Sequence, residues 1–133
     1  MIVADSNLIA YLLIQGDHTP AAQAVLRRDP VWAAPLLWRS EFRNVLALYL
    51  RQKHLTLADA LQYAEEAESL LRGNEYQVES AAVLRLAEHS GCSAYDCEFV
   101  HLAQELGLPL VTSDGRVLRA FPAVAVSMVD FVA

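Results

Sequence analysis

The sequence predicts an α/β fold: a three-layer α/β/α arrangement around a central parallel sheet of about five short strands. Three observations lead there. Short apolar runs alternate with longer segments of helical periodicity along the whole chain. The apolar runs lack polar alternation, so both faces of each strand are covered. The intervals between them are too long for hairpin turns, which makes the connections crossovers and the strands parallel.

Taken in order, Ile2 to Ala4 is a first strand ending at Asp5, and Ser6 and Asn7 stand where a helix through Ile14 is capped. Thr19-Pro20 opens a second helix to Arg28, since proline is tolerated in a first helical turn. Val31 to Ala34 is a second strand, and Pro35 precedes a long helix reaching Lys53. Thr56 caps a further helix that stops at Gly73. Glu75 to Val78 is a weak strand, followed by helices over Glu79 to His89 and Ala94 to Leu106. After the Gly107 stop come a strand at Leu108 to Thr112, a short helix from Asp114 and a last strand at Val124 to Ser127.

With 133 residues the chain suffices for one compact domain and not for two, and no repeat, linker or low-complexity tract divides it, so residues 1–133 are read as a single domain. A hydrophobic fraction of 55% and a mean hydropathy of +0.26 exclude disorder. Runs such as Leu8 to Ile14 end well short of the roughly 18 residues a membrane span needs. No basic stretch followed by an apolar one opens the chain, so a cytoplasmic protein is expected. Cys92 and Cys97 have no second pair or histidines nearby, which reads as two reduced thiols rather than a zinc site or a disulfide framework. A net charge of −6 excludes gripping nucleic acid through a basic face alone, although a bound metal would reverse the sign locally. Of the ten basic residues only Lys53 is lysine; arginine suits bidentate contacts to phosphate, and GC-rich coding produces the same bias.

In open parallel sheets ligands bind beyond the carboxyl ends of the strands. Asp5 ends the first strand and Asp114 follows the Leu108 to Thr112 strand; each would also serve simply as a helix cap. Asp96 lies in line with Phe99, Val100 and Ala103, which sets a carboxylate in the buried stripe of its own helix. A capping box with Ser93 is the structural alternative. The Gly107 turn sends that helix into the next strand from the opposite sheet edge, so Asp96 faces the same mouth as Asp5 and Asp114. Glu41, at the rim of a stripe formed by Trp38, Phe42, Val45, Leu46 and Tyr49, starts from this edge too, where a solvated glutamate is the commoner meaning. Four carboxylates gathered within about 4 to 6 Å repel one another unless they hold protons or a cation. Oxygen-only donors suit Mg²⁺ or Mn²⁺ and do not suit zinc.

These residues together resemble a PIN-domain ribonuclease, and more narrowly the VapC type of toxin from bacterial toxin–antitoxin pairs. The resemblance spans the chain: Val3-Ala4-Asp5-Ser6-Asn7-Leu8, then Trp38-Arg39-Ser40-Glu41-Phe42-Arg43-Asn44-Val45-Leu46, then Tyr95-Asp96 with Leu102-Ala103, then Thr112-Ser113-Asp114. It implies a metal-dependent endoribonuclease with Asp5, Glu41, Asp96 and Asp114 as its acidic site, Ser6, Asn7 and Thr112 in support, and Mg²⁺ or Mn²⁺ as cofactor. Ser6 stands where the family more often has threonine, which keeps the hydroxyl. Activation of water by a carboxylate-held metal needs no 2′-hydroxyl nucleophile, and products with 5′-phosphate and 3′-hydroxyl ends are implied. Arg116, two residues beyond Asp114, is a further candidate contact to RNA phosphate, weighed against a solvated helix residue.

Rival chemistries fit less well. A receiver-like phosphoacceptor would want adjacent acids after the first strand and a late lysine, whereas Ser6-Asn7 follow Asp5 and Lys53 ends a helix. A phosphatase with an aspartate nucleophile would want a second aspartate where Asn7 stands. His18, His54, His89 and His101 form no pair for a histidine ribonuclease, and His101 is expected on a solvated face. A catalytically idle PIN fold acting only through protein association remains the alternative. Trp38, Phe42, Leu46, Tyr49 and Leu50, then Leu57, Leu61, Leu70 and Leu71, exceed what a thin sheet covers, which means either an interface or a tightly packed helix pair. The resemblance implies a homodimer and a small cognate antitoxin that lays an apolar helix beside the acidic site and sends an arginine into it.

Overall fold

The computed structural model describes residues 1–133. In chain order, β1 (Ile2–Ala4) leads into α1 (Ser6–Leu13) and α2 (Thr19–Arg28), and β2 (Trp32–Pro35) into α3 (Leu37–Arg51) and α4 (Leu57–Leu71). β3 (Glu75–Tyr76) leads into α5 (Ser80–Ser90) and α6 (Ala94–Leu106), β4 (Leu110–Val111) into α7 (Gly115–Ala120), and β5 (Ala125–Val126) into α8 (Met128–Val132). The five strands form one sheet in the order β3-β2-β1-β4-β5. Every pairing is parallel, with Val3 opposite both Ala33 and Leu110. Helices cover both faces, giving the expected three layers.

The strands are short because so little chain is buried on both faces at once. Ile2, Val3 and Ala4 are wholly shielded from solvent, as are Trp32, Ala33 and Ala34. The ladders at β4 and β5 narrow to Leu110–Val111 and Ala125–Val126 inside the longer apolar runs around them. The expected second strand shifts by one residue, since Pro35 still lies in β2 and α3 starts at Leu37.

Capping explains most helix starts. Thr56 and Asp59 make a reciprocal capping box at α4. Asp5 caps α1, in place of Ser6 or Asn7, by accepting from the Leu8 N–H at 2.7 Å. α6 ends on Gly107 at φ 66°, a left-handed turn that delivers the chain into β4. α8 was not expected: Ser127 accepts from the Asp130 N–H at 3.1 Å and converts the end of an apolar run into a helix start.

Trp32, Trp38 and Phe42 are the largest fully buried side chains. Both indole N–H groups are satisfied, Trp32 by the Asp29 carbonyl and Trp38 by Glu75, each at 2.8 Å. Glu75 also takes two bonds from the Arg39 guanidinium, whose third goes to Glu68, so a single charged group ties α3 to β3 and α4. Much of the apolar excess noted in α3 and α4 is internal, since Trp38, Phe42, Leu46 and Leu71 are buried. Leu57 and Leu61 remain 63% and 62% exposed on α4. His101 departs from expectation: its side chain is 17% exposed and pairs with Glu105 at 3.1 Å. No helix is long and apolar enough to cross a membrane.

Candidate active site

The strand order makes β1 the turning point of the sheet. From β1 the chain builds outward to β2 and β3, then crosses back to add β4 and β5 on the other side. The carboxyl ends of β1 and β4 therefore flank a topological switch point, where crossover connections diverge and leave a crevice. Asp5 directly follows β1, and Thr112, Ser113 and Asp114 follow β4. α3 and α6 bring Glu41 and Asp96 to the same crevice, so all four predicted acids line one cleft of about 250 Å³. Ser6, Asn7 and Thr112 line it with them.

Asp5 opens onto the cleft but is otherwise surrounded by protein. Its Oδ1 accepts from the Leu8 N–H, and its Oδ2 accepts from the Thr112 hydroxyl. Burial pushes its pKa up to about 6 against the pull of Thr112, Leu8 and Ser113, with the charge of Glu41 adding to the rise. Even a carboxylate bonded this well is held reluctantly as an anion here.

Capping alone does not account for such a residue. An asparagine caps a helix about as well as an aspartate, a contribution of roughly 0.5 to 2 kcal/mol. Keeping Asp5 ionised at neutral pH, with its pKa moved from 3.8 to about 6, costs on the order of 3 kcal/mol relative to a solvated carboxylate. Asparagine would give the cap without that cost, so the negative charge is present for another reason.

The remaining acids follow the same pattern. Glu41 accepts from the Ser6 hydroxyl at 2.7 Å, yet burial and then the charge of Asp96 raise its pKa. Asp96 is raised by burial and by Asp114, with Ser93 and Arg116 opposing. Ser93 caps α6 through the Asp96 N–H at 3.0 Å, but the return bond of a capping box, which α4 has, is missing, so the Asp96 carboxylate is not drawn back to the Ser93 backbone and lines the cleft. Asp114 caps α7, its Oδ1 accepting from the Arg116 and Val117 N–H groups at 2.8 and 3.2 Å. Thr112, 2% exposed, joins the two strand ends: it donates to Asp5 and accepts from the Asp114 N–H at 3.0 Å.

Asn44 also lines the cleft and was not singled out from the sequence, although it stands one turn beyond Glu41 on the same face of α3. Glu98 was missed as well; burial and then Glu41 raise its pKa from just outside the cleft. Arg116 is exposed, and its charge is felt by Asp96, which sets a cation at the cleft's rim.

The donors here are all oxygen and mutually repulsive, the chemistry of a hard divalent cation. No three acidic, histidine or cysteine side chains sit close enough together to grip one ion directly. A cation such as Mg²⁺, which keeps several of its waters, accommodates such a spaced set.

A parallel sheet with an acidic crevice at its switch point offers oxygen donors where open α/β sheets bind their ligands. Residues 2–124 match the PIN domain family model, and the chain belongs to that family. Among solved structures it resembles PAE2754 from Pyrobaculum aerophilum, with a TM-score of 0.78 and 20% identity over 98% of this chain and 92% of that one. It also resembles FitAcB from Neisseria gonorrhoeae, with a TM-score of 0.76 and 17% identity over 96% of this chain and 98% of that one. A toxin–antitoxin complex from Klebsiella pneumoniae aligns with a TM-score of 0.69 and 19% identity over 96% of this chain and 98% of that one. At these identities the likeness is one of fold. No curated protein sequence matches the chain.

Proposed function

We propose that this PIN-domain protein is a metal-dependent endoribonuclease and the toxin of a toxin–antitoxin pair. The observation that carries the reading is the convergence of Asp5, Glu41, Asp96 and Asp114, from four separate segments, on one cleft in which burial and mutual charge raise the pKa of three of them. Such a set is costly to a metal-free fold and useful to one that binds a cation and a phosphodiester.

In this reading Asp5, Glu41, Asp96 and Asp114 hold Mg²⁺, or Mn²⁺ in its place. A cation held there would supply activation of water for in-line attack and charge neutralisation at the phosphate. Thr112 fixes the Asp5 carboxylate and the Asp114 loop relative to each other, and Ser6 fixes the Glu41 rotamer. Asn7 and Asn44 present uncharged amides to the cleft, able to donate to phosphate oxygens without adding repulsion. Arg116 guides a phosphate to the rim. The products carry 5′-phosphate and 3′-hydroxyl ends, and the work is done in the cytoplasm, where the RNA is.

The toxin reading draws on the solved structures of similar fold, one of which is a toxin–antitoxin complex. A small antitoxin with an apolar helix and a basic tail would cover the acidic mouth and place an arginine among the carboxylates, in competition with metal. Leu57 and Leu61 on α4 supply exposed apolar surface for a homodimer. The idle-fold alternative draws on the spacing of the donors, no three of which can grip an ion as they stand. Incubating the protein with cellular RNA and Mg²⁺, with and without EDTA, separates the two: the nuclease cuts only when metal is free, and the idle fold cuts in neither tube.

A further inference from the structure

A second concavity of about 690 Å³ opens beside the acidic cleft, and Asn7 and Val45 line both. Helix geometry makes the two continuous. Asn7, Ala10 and Tyr11 share one face of α1, with Ile14 just past its end, and Val45, Leu48 and Tyr49 continue the face of α3 that begins at Glu41. From Glu41 to Tyr49 the helix advances roughly 12 Å. A ligand seated in this groove lies within short reach of whatever occupies the carboxylates.

The groove is walled by rings. Tyr11 lies against His18 with ring centroids 4.5 Å apart and tilted by 36°. Tyr49 meets His54 edge-on at 6.2 Å, and Tyr63 reaches in from α4. No phenol hydroxyl or imidazole nitrogen of this set is taken up by a hydrogen bond from elsewhere in the chain. The wall between α1 and α2 is built firmly: the Thr19 hydroxyl, 2% exposed, donates to the Tyr11 carbonyl at 2.7 Å and accepts from the Gly16 N–H at 3.0 Å.

We propose that this groove is a nucleobase subsite, seating a base of the RNA strand whose phosphate lies over the carboxylates, between the Tyr11–His18 and Tyr49–His54 pairs. Ring faces with free hydrogen-bonding edges are what an unstacked base uses, by stacking and by edge contacts. Asn7, Gln15 and the two imidazoles, exposed along the groove, offer hydrogen-bonding partners to the edge of such a base. Asp17 is the groove's sole carboxylate, tolerable to a neutral base and unfavourable to a phosphate. The subsite rests on the nuclease reading above and supplies what the carboxylates lack, a means of choosing which phosphodiester is cut.

The test is 4-thiouridine photocrosslinking and fluorescence anisotropy with single-stranded octaribonucleotides on the complete protein, beside a cleavage assay. Expected are crosslinks at Tyr11, Tyr49 or Tyr63 and binding weakened roughly fivefold or more by Tyr49→Leu and by His54→Ala. Cleavage should also lose its discrimination between bases at one position near the cut. Melting temperatures within a degree or two of the unsubstituted protein establish that both variants fold; if Tyr49→Leu unfolds, His54→Ala on its exposed loop carries the test. Active protein whose octamer affinity and base preference survive both changes would overturn the subsite and leave the nuclease standing. Variants that bind RNA normally but no longer bind a co-expressed antitoxin would overturn it in favour of a protein groove. Failure of the unsubstituted protein to bind or cut any RNA would remove both readings.

Discussion

At the scale of single residues, the site is a set of carboxylates kept where their ionised forms are disfavoured. Asp5 sets the sign of the pH dependence. Its folded pKa of about 6 lies above the ordinary 3.8, so the stability that Asp5 contributes to the metal-free fold is fully present below that lower value and is lost as pH rises through 6. Glu41 and Asp96, both raised, act in the same direction. Thermal melts in EDTA should therefore show a falling melting temperature from about pH 4 to pH 7, and saturating Mg²⁺ should flatten that slope. Asp5→Asn should abolish cleavage while raising the metal-free melting temperature at pH 7.5 by a few degrees, since the cap survives and the charge does not. A lower melting temperature would mean that Asp5 is a structural cap after all. Ser6→Ala removes the bond that holds Glu41 and lowers its pKa, and should cut turnover at neutral pH by tenfold or so, about the cost of one charged hydrogen bond. Acidic residues at strand ends and on a buried helical stripe were legible in the sequence. Asn44 and Glu98 were not, because an amide or carboxylate one turn along an amphipathic helix carries no periodicity signal that separates a cleft from solvent.

Elements decide whether those residues meet. α3 carries Glu41, and its first turn is anchored by Arg39 and Trp38 on Glu75 of β3. Glu75→Gln would weaken the guanidinium fork and should cost roughly 1 to 3 kcal/mol of stability. Turnover per folded molecule should hardly change, because Glu75 touches neither cleft nor metal; chemical denaturation beside initial rates would check both. Most strand positions could be read from apolar runs, whereas their ends could not: β4 and β5 are two-residue ladders inside longer apolar runs, β3 is a two-residue ladder in a mixed polar stretch, and only pairing decides which residues join. α8 escaped notice for a related reason. Val124 to Ser127 reads as a strand to its end, and the Ser127 and Asp130 cap that starts a helix there is a weak signal beside it.

For the whole molecule, the strand order turns a list of acids into a site. With β1 in the centre and β4 beside it, Asp5 and Asp114 become neighbours across the switch point despite their separation in the chain. The alternation of elements in the sequence implied a parallel sheet with the acids at its carboxyl edge, but the pairing of β4 with β1 became visible only in the folded chain. The exposed Leu57 and Leu61 predict that the protein alone sediments as a dimer at micromolar concentration, and that aspartate at both positions shifts it toward monomer. The central claim, that these carboxylates cut RNA through a bound cation, is tested most directly by comparing unsubstituted protein with Asp96→Asn on the same RNA. Reactions should run in Mg²⁺ and in EDTA, with product ends mapped. The account predicts 5′-phosphate and 3′-hydroxyl ends from the unsubstituted protein in Mg²⁺ alone, and no cleavage by a folded Asp96→Asn protein; cleavage that survives EDTA or the substitution would contradict it.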